Sequence, residues 1–164
     1  ISVKIVSKLC VDKRYHFSQI TKSGIYVYNG TDNISIDSSS NPFNQAYNIV
    51  LISTCPTCTV TIGRVFPSTT FAPTGSVAIL ATNIVFSPNL TQANGVFIGS
   101  NIDTGTNAAL GLKIVGNLIA QSTFTNGRAW ANLNIPSIFV VFDSQKYLNL
   151  LPYLSTANYE WRER

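Results

Sequence analysis

The chain has 164 residues, a length that fits one domain by the usual ~100–200 residues each, and 45% of them are hydrophobic. Only 11% are charged, less than half the usual ~25%; 16 Asn, 17 Ser and 16 Thr supply the polar surface instead. The apolar share is ordinary for a globular domain, and a chain of this size can bury a core of its own. With no run of 18 or more apolar residues, the sequence excludes a membrane-spanning helix.

The net charge of +4 is confined to the first 22 residues. There Lys4, Lys8, Lys13, Arg14 and Lys22 oppose only Asp12, and no charged residue occurs between Arg64 and Asp103. A surface so poor in titratable groups predicts stability that varies little with pH. It suits exposed or neighbour-covered surroundings better than free diffusion in a cytosol, where mixed charge maintains solubility. The first residue is Ile rather than Met, as it would be after removal of a leader or after trimming.

In chain order the elements are strands. Residues 1–9, ISVKIVSKL, alternate with period 2, placing Ile1, Val3, Ile5 and Leu9 on one face and Ser2, Lys4 and Lys8 on the other. Such a segment can complete its own sheet or be donated to the sheet of a neighbouring subunit. Its lysines protect a strand edge; a disordered nucleic-acid-binding arm would not alternate this way, so a nucleic-acid partner is not expected. Further strands are expected over 15–20, 24–28, 47–54, 59–66, 77–86, 95–98, 112–120, 128–133 and 137–142, all rich in Val, Ile, Thr, Phe and Tyr. Turn residues separate them, Asn94-Gly95 and Asn126-Gly127 among these, the latter as a tight hairpin. Asp143 is placed to cap a short helical turn through Tyr147–Leu151, closed by Pro152, and residues 107–112 could form another. No sequence repeat is visible. About ten short strands and little helix predict an all-β single domain over 1–164, a β-sandwich or jelly roll of about 8–10 strands, with residues 1–9 as a donor-strand candidate.

Cys55-Pro56-Thr57-Cys58 lies between two strand-like runs rather than at the start of a helix, where a redox dithiol gains its low pKa. Cys10, Cys55 and Cys58 are therefore disulfide candidates, with one thiol left over. A zinc site from these three and His16 would need Cys10-x5-His16 as a half-site, which is not a usual spacing; no metal or other cofactor is expected. His16 is the only histidine and the only two Glu are Glu160 and Glu163, so no acid–base or nucleophilic set assembles and no catalytic residue is assigned. Asn29, Asn33 and Asn89 open Asn-x-Ser/Thr acceptor triplets in predicted turns, although about three matches are expected by chance at this content.

Over 128–135 the alternation puts Ala129, Ala131 and Leu133 on one face and Arg128, Trp130, Asn132 and Asn134 on the other. An exposed Trp and Arg beside amides would suit a glycan or a protein partner. Tyr26 and Tyr28 form a similar pair opposite Ile25 and Val27.

These features predict a non-enzymatic structural subunit of an extracellular assembly. The two forms are a surface filament or pilus built by strand donation and a virion coat or surface protein, and the partner is the chain itself. The alternative is a carbohydrate-binding or adhesin module centred on Trp130.

Overall fold

The computed structural model describes residues 3–6, 20–38, 42–63, 69–129 and 136–154. The strands are β1 (Val3–Val6), β2 (Gly24–Tyr28), β3 (Ile34–Ile36), β4 (Ile49–Ser53), β5 (Thr59–Ile62), β6 (Thr70–Phe71), β7 (Val77–Phe86), β8 (Gln92–Asp103), β9 (Leu112–Thr125) and β10 (Ile138–Val141), followed by one helix, α1 (Ser144–Leu154). Every strand pair is parallel. A chain can return to the same side of a parallel neighbour only by a crossover, and here the crossovers wind into a parallel β-solenoid of about five turns.

Three stacks of strands run along the solenoid. The first contains β1, β2, β4 and the leading half of β7, then Val96–Gly99 of β8 and Asn117–Ala120 of β9. The second contains β3, β5, the trailing half of β7, Asn101–Asp103 and Thr123–Thr125. The third contains β6, Gln92–Ala93, Leu112–Val115 and β10. Within β8 and β9 the chain passes from the third stack to the first and then the second, so one long strand supplies three short sides.

The expected β-sandwich or jelly roll is thus overturned. Alternating β-rich runs with frequent turns serve either architecture, and what separates them is the pairing partner, which period 2 does not encode. The Asn126-Gly127 hairpin is also absent: Thr104 N–H donates to Thr125 O, and Asn107 bridges Arg128 in parallel, so this dipeptide lies over the Thr104-Gly105 corner of the previous turn. Asn94-Gly95 falls inside β8, and residues 107–112 form no helix. Strands β3 and β6 were not anticipated. Of the expected strand over 128–133, residues 130–133 lie outside the described residues, as does most of 15–20.

The repeat is structural and leaves little trace in sequence. Along the first stack, Ile25 to Val50 is 25 residues, Val50 to Ala78 is 28, Ala78 to Val96 is 18 and Val96 to Asn117 is 21. Loops of variable length hide the period while the strand segments stay in register.

Inward residues stack in ladders. Tyr26, Leu51, Ile79 and Phe97 form one, and Val60, Ile84 and Ile102 another; all are buried. Edge-on ring contacts connect Phe43 to Phe71 and Phe86 to Phe97. Each such side chain contributes about 1.5–3 kcal/mol on burial. Tyr26 and Tyr28 therefore face the core, at 2% exposure each, rather than solvent. Their hydroxyls stay satisfied by local bonds: Tyr26 Oη donates to Lys22 O at 2.7 Å, and Tyr28 Oη meets both backbone groups of Asp32 at 3.1 Å. Alternation defines two faces but not which is inside. Here the opposite face is apolar as well, because Leu150 of α1 packs on Val50, Ala78 and Val96, with Ile25, Ile52 and Leu80 around them.

Asp143 caps this helix, its Oδ1 accepting from Gln145 N–H and Lys146 N–H at 3.1 and 3.2 Å. The helix extends beyond the expected turn, through Pro152 to Leu154. No helix among the described residues is long and apolar enough to cross a membrane.

Glycine marks the corner between the third and first stacks. Gly95 and Gly116 are in register, with φ of 157° and 137°. A Cβ on Gly116 would stand 2.0 Å from Gly95 O. We therefore expect Gly116→Ala to lower the unfolding free energy by at least about 2 kcal/mol, from backbone strain and collision together. Gly24→Ala, whose Cβ would meet nothing nearer than a Tyr26 ring atom at 3.7 Å, should leave stability unchanged or slightly raised. Urea denaturation of both variants checks the pair.

Candidate functional site

Three local arrangements gather the residues that could carry chemistry. The first lies at the corner between the first and second stacks. A disulfide joins Cys55 to Cys58, and both residues are buried. Cys58 N–H donates to Cys55 Sγ at 3.1 Å, closing the turn around Pro56. Asn83 Nδ2 donates to Cys58 O at 3.1 Å and to Pro56 O at 3.4 Å, and Asn101 Nδ2 donates to Asn83 Oδ1 at 2.9 Å. One turn earlier, Asn33 Oδ1 accepts from Thr59 N–H at 2.8 Å. The amides thus form a ladder along the corner, each bonded to the adjacent turn, and the disulfide loop fits between two of its steps. The Cys-x-x-Cys pair is joined as a disulfide within a turn between two strands.

The second arrangement centres on Arg128. Its side chain is 4% exposed, so it is not on the outer face proposed for it from alternation. Nε donates to Thr104 O at 2.6 Å, Nη2 to Ser87 O at 2.7 Å and Nη1 to Leu110 O at 3.3 Å. Burial lowers its pKa from the ordinary guanidinium range, and the Asp103 carboxylate opposes that shift. The planar guanidinium offers five donors in a fixed fork. Here it fastens three carbonyls from two successive loops, at 87 in one and at 104 and 110 in the next. Asn126 Oδ1 accepts from Arg128 N–H at 2.9 Å and presets the backbone. Trp130, Asn132 and Asn134, the other members of the expected contact face, lie outside the described residues.

The third is the end of the solenoid at β9 and β10. Among the described residues, the exposed large hydrophobics are Ile119, Phe124, Phe139, Val140, Phe142, Tyr147 and Leu148, all in the last turn or the helix after it. Phe124 continues the inward ladder of Val60, Ile84 and Ile102, yet is 45% exposed; Val140 continues that of Phe71, Ala93 and Ile114 and is also 45% exposed. They are core residues by position with no turn above them among the described residues. Sequence reasoning missed this end, although a signal was present: between Lys113 and Asp143 the only charged residue is Arg128, which is buried.

The remaining expected residues are dispersed. Val3 and Ile5 belong to β1, which pairs with β2 of its own chain, Val3 opposite Ile25 and Ile5 opposite Val27; Ile1 and Leu9 lie outside the described residues, as do Cys10 and His16. Asn29 and Asn89 are exposed in loops. Asn33 is exposed too, but its amide oxygen is engaged with Thr59. No group of three or more His, Cys, Asp or Glu that could hold a metal occurs among the described residues.

Compared with family models, with curated proteins and with solved structures, the chain matches none.

Arg128→Ala would leave three carbonyls without their donor, at about 1–3 kcal/mol for each buried group left unsatisfied. A loss of about 3 kcal/mol or more is expected by chemical denaturation. Arg128→Lys should recover only part of it, because an ammonium cannot span the same fork. The disulfide closes a short loop, so reducing it should cost at most about 2 kcal/mol and leave the far-ultraviolet circular dichroism spectrum intact; complete loss of structure on reduction would show a larger role.

Proposed function

We propose that this chain is a non-enzymatic structural subunit of an extracellular assembly, in which it associates with copies of itself. The carrying observation is the last turn of the solenoid, where ladder positions meant for a core, Phe124 and Val140, stand exposed in a segment almost free of charge. Repeat architectures require polar terminal caps to remain dispersed, and edge strands are ordinarily protected by charge or proline. The disulfide supports an oxidising compartment. The low charge supports a surface covered by neighbours. A filament and a virion surface layer are both served by a solenoid subunit with an exposed end; strand donation into a sandwich groove is not, because the fold is a solenoid and not a sandwich. A glycan-binding face around Trp130 loses one of its four expected members, since Arg128 is buried.

The test is the solution mass of the full chain over a range of concentrations, with electron microscopy of the same samples. Multiples of 17.9 kDa that grow with concentration are expected. A strict monomer at every concentration and salt condition would overturn the proposal.

A further inference from the structure

We infer that copies of this chain join head to tail, with β1 of one copy lying as the next parallel strand on β9 of another. The inference deepens the self-association reading above and rests on it.

It follows from where the winding stops. From β6 onward the chain visits the third stack, then the first, then the second in each turn. The third stack ends with β10, paired to Leu112–Val115. The next segment should enter the first stack beside Asn117–Ala120. Instead the chain leaves the path at Asp143 and runs as α1 along the outer side of the first stack. Among the described strands, Asn117–Thr125 of β9 therefore has β8 on one side and no strand on the other. At the opposite end of the described strands, the first stack begins with β1, which among those strands pairs with β2 alone. The strand missing from one end is thus of the stack and polarity that the other end presents.

A second copy adds this strand without reversing direction, so the parallel hydrogen-bond pattern continues across the joint. Pairing two β9 ends about a two-fold axis would require antiparallel strands, which occur nowhere among the described pairs. Pairing two β1 ends would set a lysine-bearing strand against its own copy, Lys4 being the charged residue of β1. The β9 edge carries neither charge nor proline from Ile114 to Gly127, so nothing on it opposes an incoming strand. A joint that repeats one rotation and one translation makes an open filament unless the rotation closes a ring.

The register of the joint is set by the stack. Ile5 aligns with Val27, Ile52, Leu80, Ile98 and Ile119 in succession, so across the joint Ile5 of one copy comes beside Ile119 of the next. Within one chain these two positions are five strand spacings apart, ~24 Å, far beyond the ~4.4–6.8 Å between Cα atoms that a disulfide needs. Adjacent strands, at ~4.8 Å, satisfy it.

The experiment is Ile5→Cys with Ile119→Cys in a Cys10→Ser background, oxidised at a concentration where the parent associates and run on non-reducing gels beside each single variant. The expected result is a ladder of dimers, trimers and higher multiples from the double variant only, collapsing to monomer on reduction. Lys4, which falls in register with Tyr26, Leu51, Ile79, Phe97 and Leu118, would come over Leu118, and Lys4→Leu is expected to raise association several-fold by light scattering. Association of the parent without a ladder would overturn this joint and leave the self-association reading standing. A single dimer formed by Ile119→Cys alone would replace it with pairing of two β9 ends. A parent that never associates would overturn both.

Discussion

Register between consecutive turns is the constraint on which the rest of this molecule depends. In a parallel stack each residue meets its counterpart in the turn before and the turn after, so a requirement at one level recurs at the next. Where β8 and β9 bend from the third stack into the first, only a residue without Cβ lets the backbones approach, and Gly95 and Gly116 fall at the same step. Where β7 and β8 bend from the first stack into the second, Asn83 and Asn101 bond to each other across the turns. A slip of one residue would turn every inward ladder outward and would separate these corner pairs at the same time. Register is therefore held by the core and by the corners independently.

Arg128 shows how the loops are held to that framework. Parallel strands satisfy their own backbone groups, whereas the loops between the second and third stacks leave carbonyls behind at Ser87, Thr104 and Leu110. Burying those without donors would be costly, and one guanidinium reaches all three. The ion is removed from water, but it gains charge-assisted bonds to three oriented carbonyl dipoles. The disulfide at Cys55 and Cys58 does comparable work one corner away, fixing the turn whose carbonyls accept from Asn83.

A stack built this way grows in one dimension and has two ends. Side faces are finished by polar residues and by α1, whose Leu150 completes the outer apolar face of the first stack. An end is finished only by another turn or by a cap. The helix covers a side instead, and Phe124 and Val140 stand exposed at the end of the described turns, although their neighbours in the two preceding turns, Ile84 and Ile102 and Ala93 and Ile114, are buried. The functional reading follows from this asymmetry between finished sides and an unfinished end.

The sequence by itself determined that the chain is β-rich and nearly uncharged, where most of its strands lie, and that Asp143 caps a helix. Each of these is local: period 2, side-chain shape and a capping oxygen act within a few residues. The whole of β2 and β7 and the span of β4 were legible for that reason. What only the tertiary structure decided was pairing. Asn126-Gly127 has the chemistry of a hairpin, and it lies on a corner because the segment beneath it, 104–107, offers parallel partners. Tyr26 and Tyr28 alternate with Ile25 and Val27 under either architecture, and which pair is inside depends on α1, more than 100 residues later, covering the opposite face. Arg128 reads as a surface residue until the loops that need its donors are brought to it. Contacts between distant segments, set by turn lengths of 18 to 28 residues with no common sequence period, carry no local mark in the strands that make them.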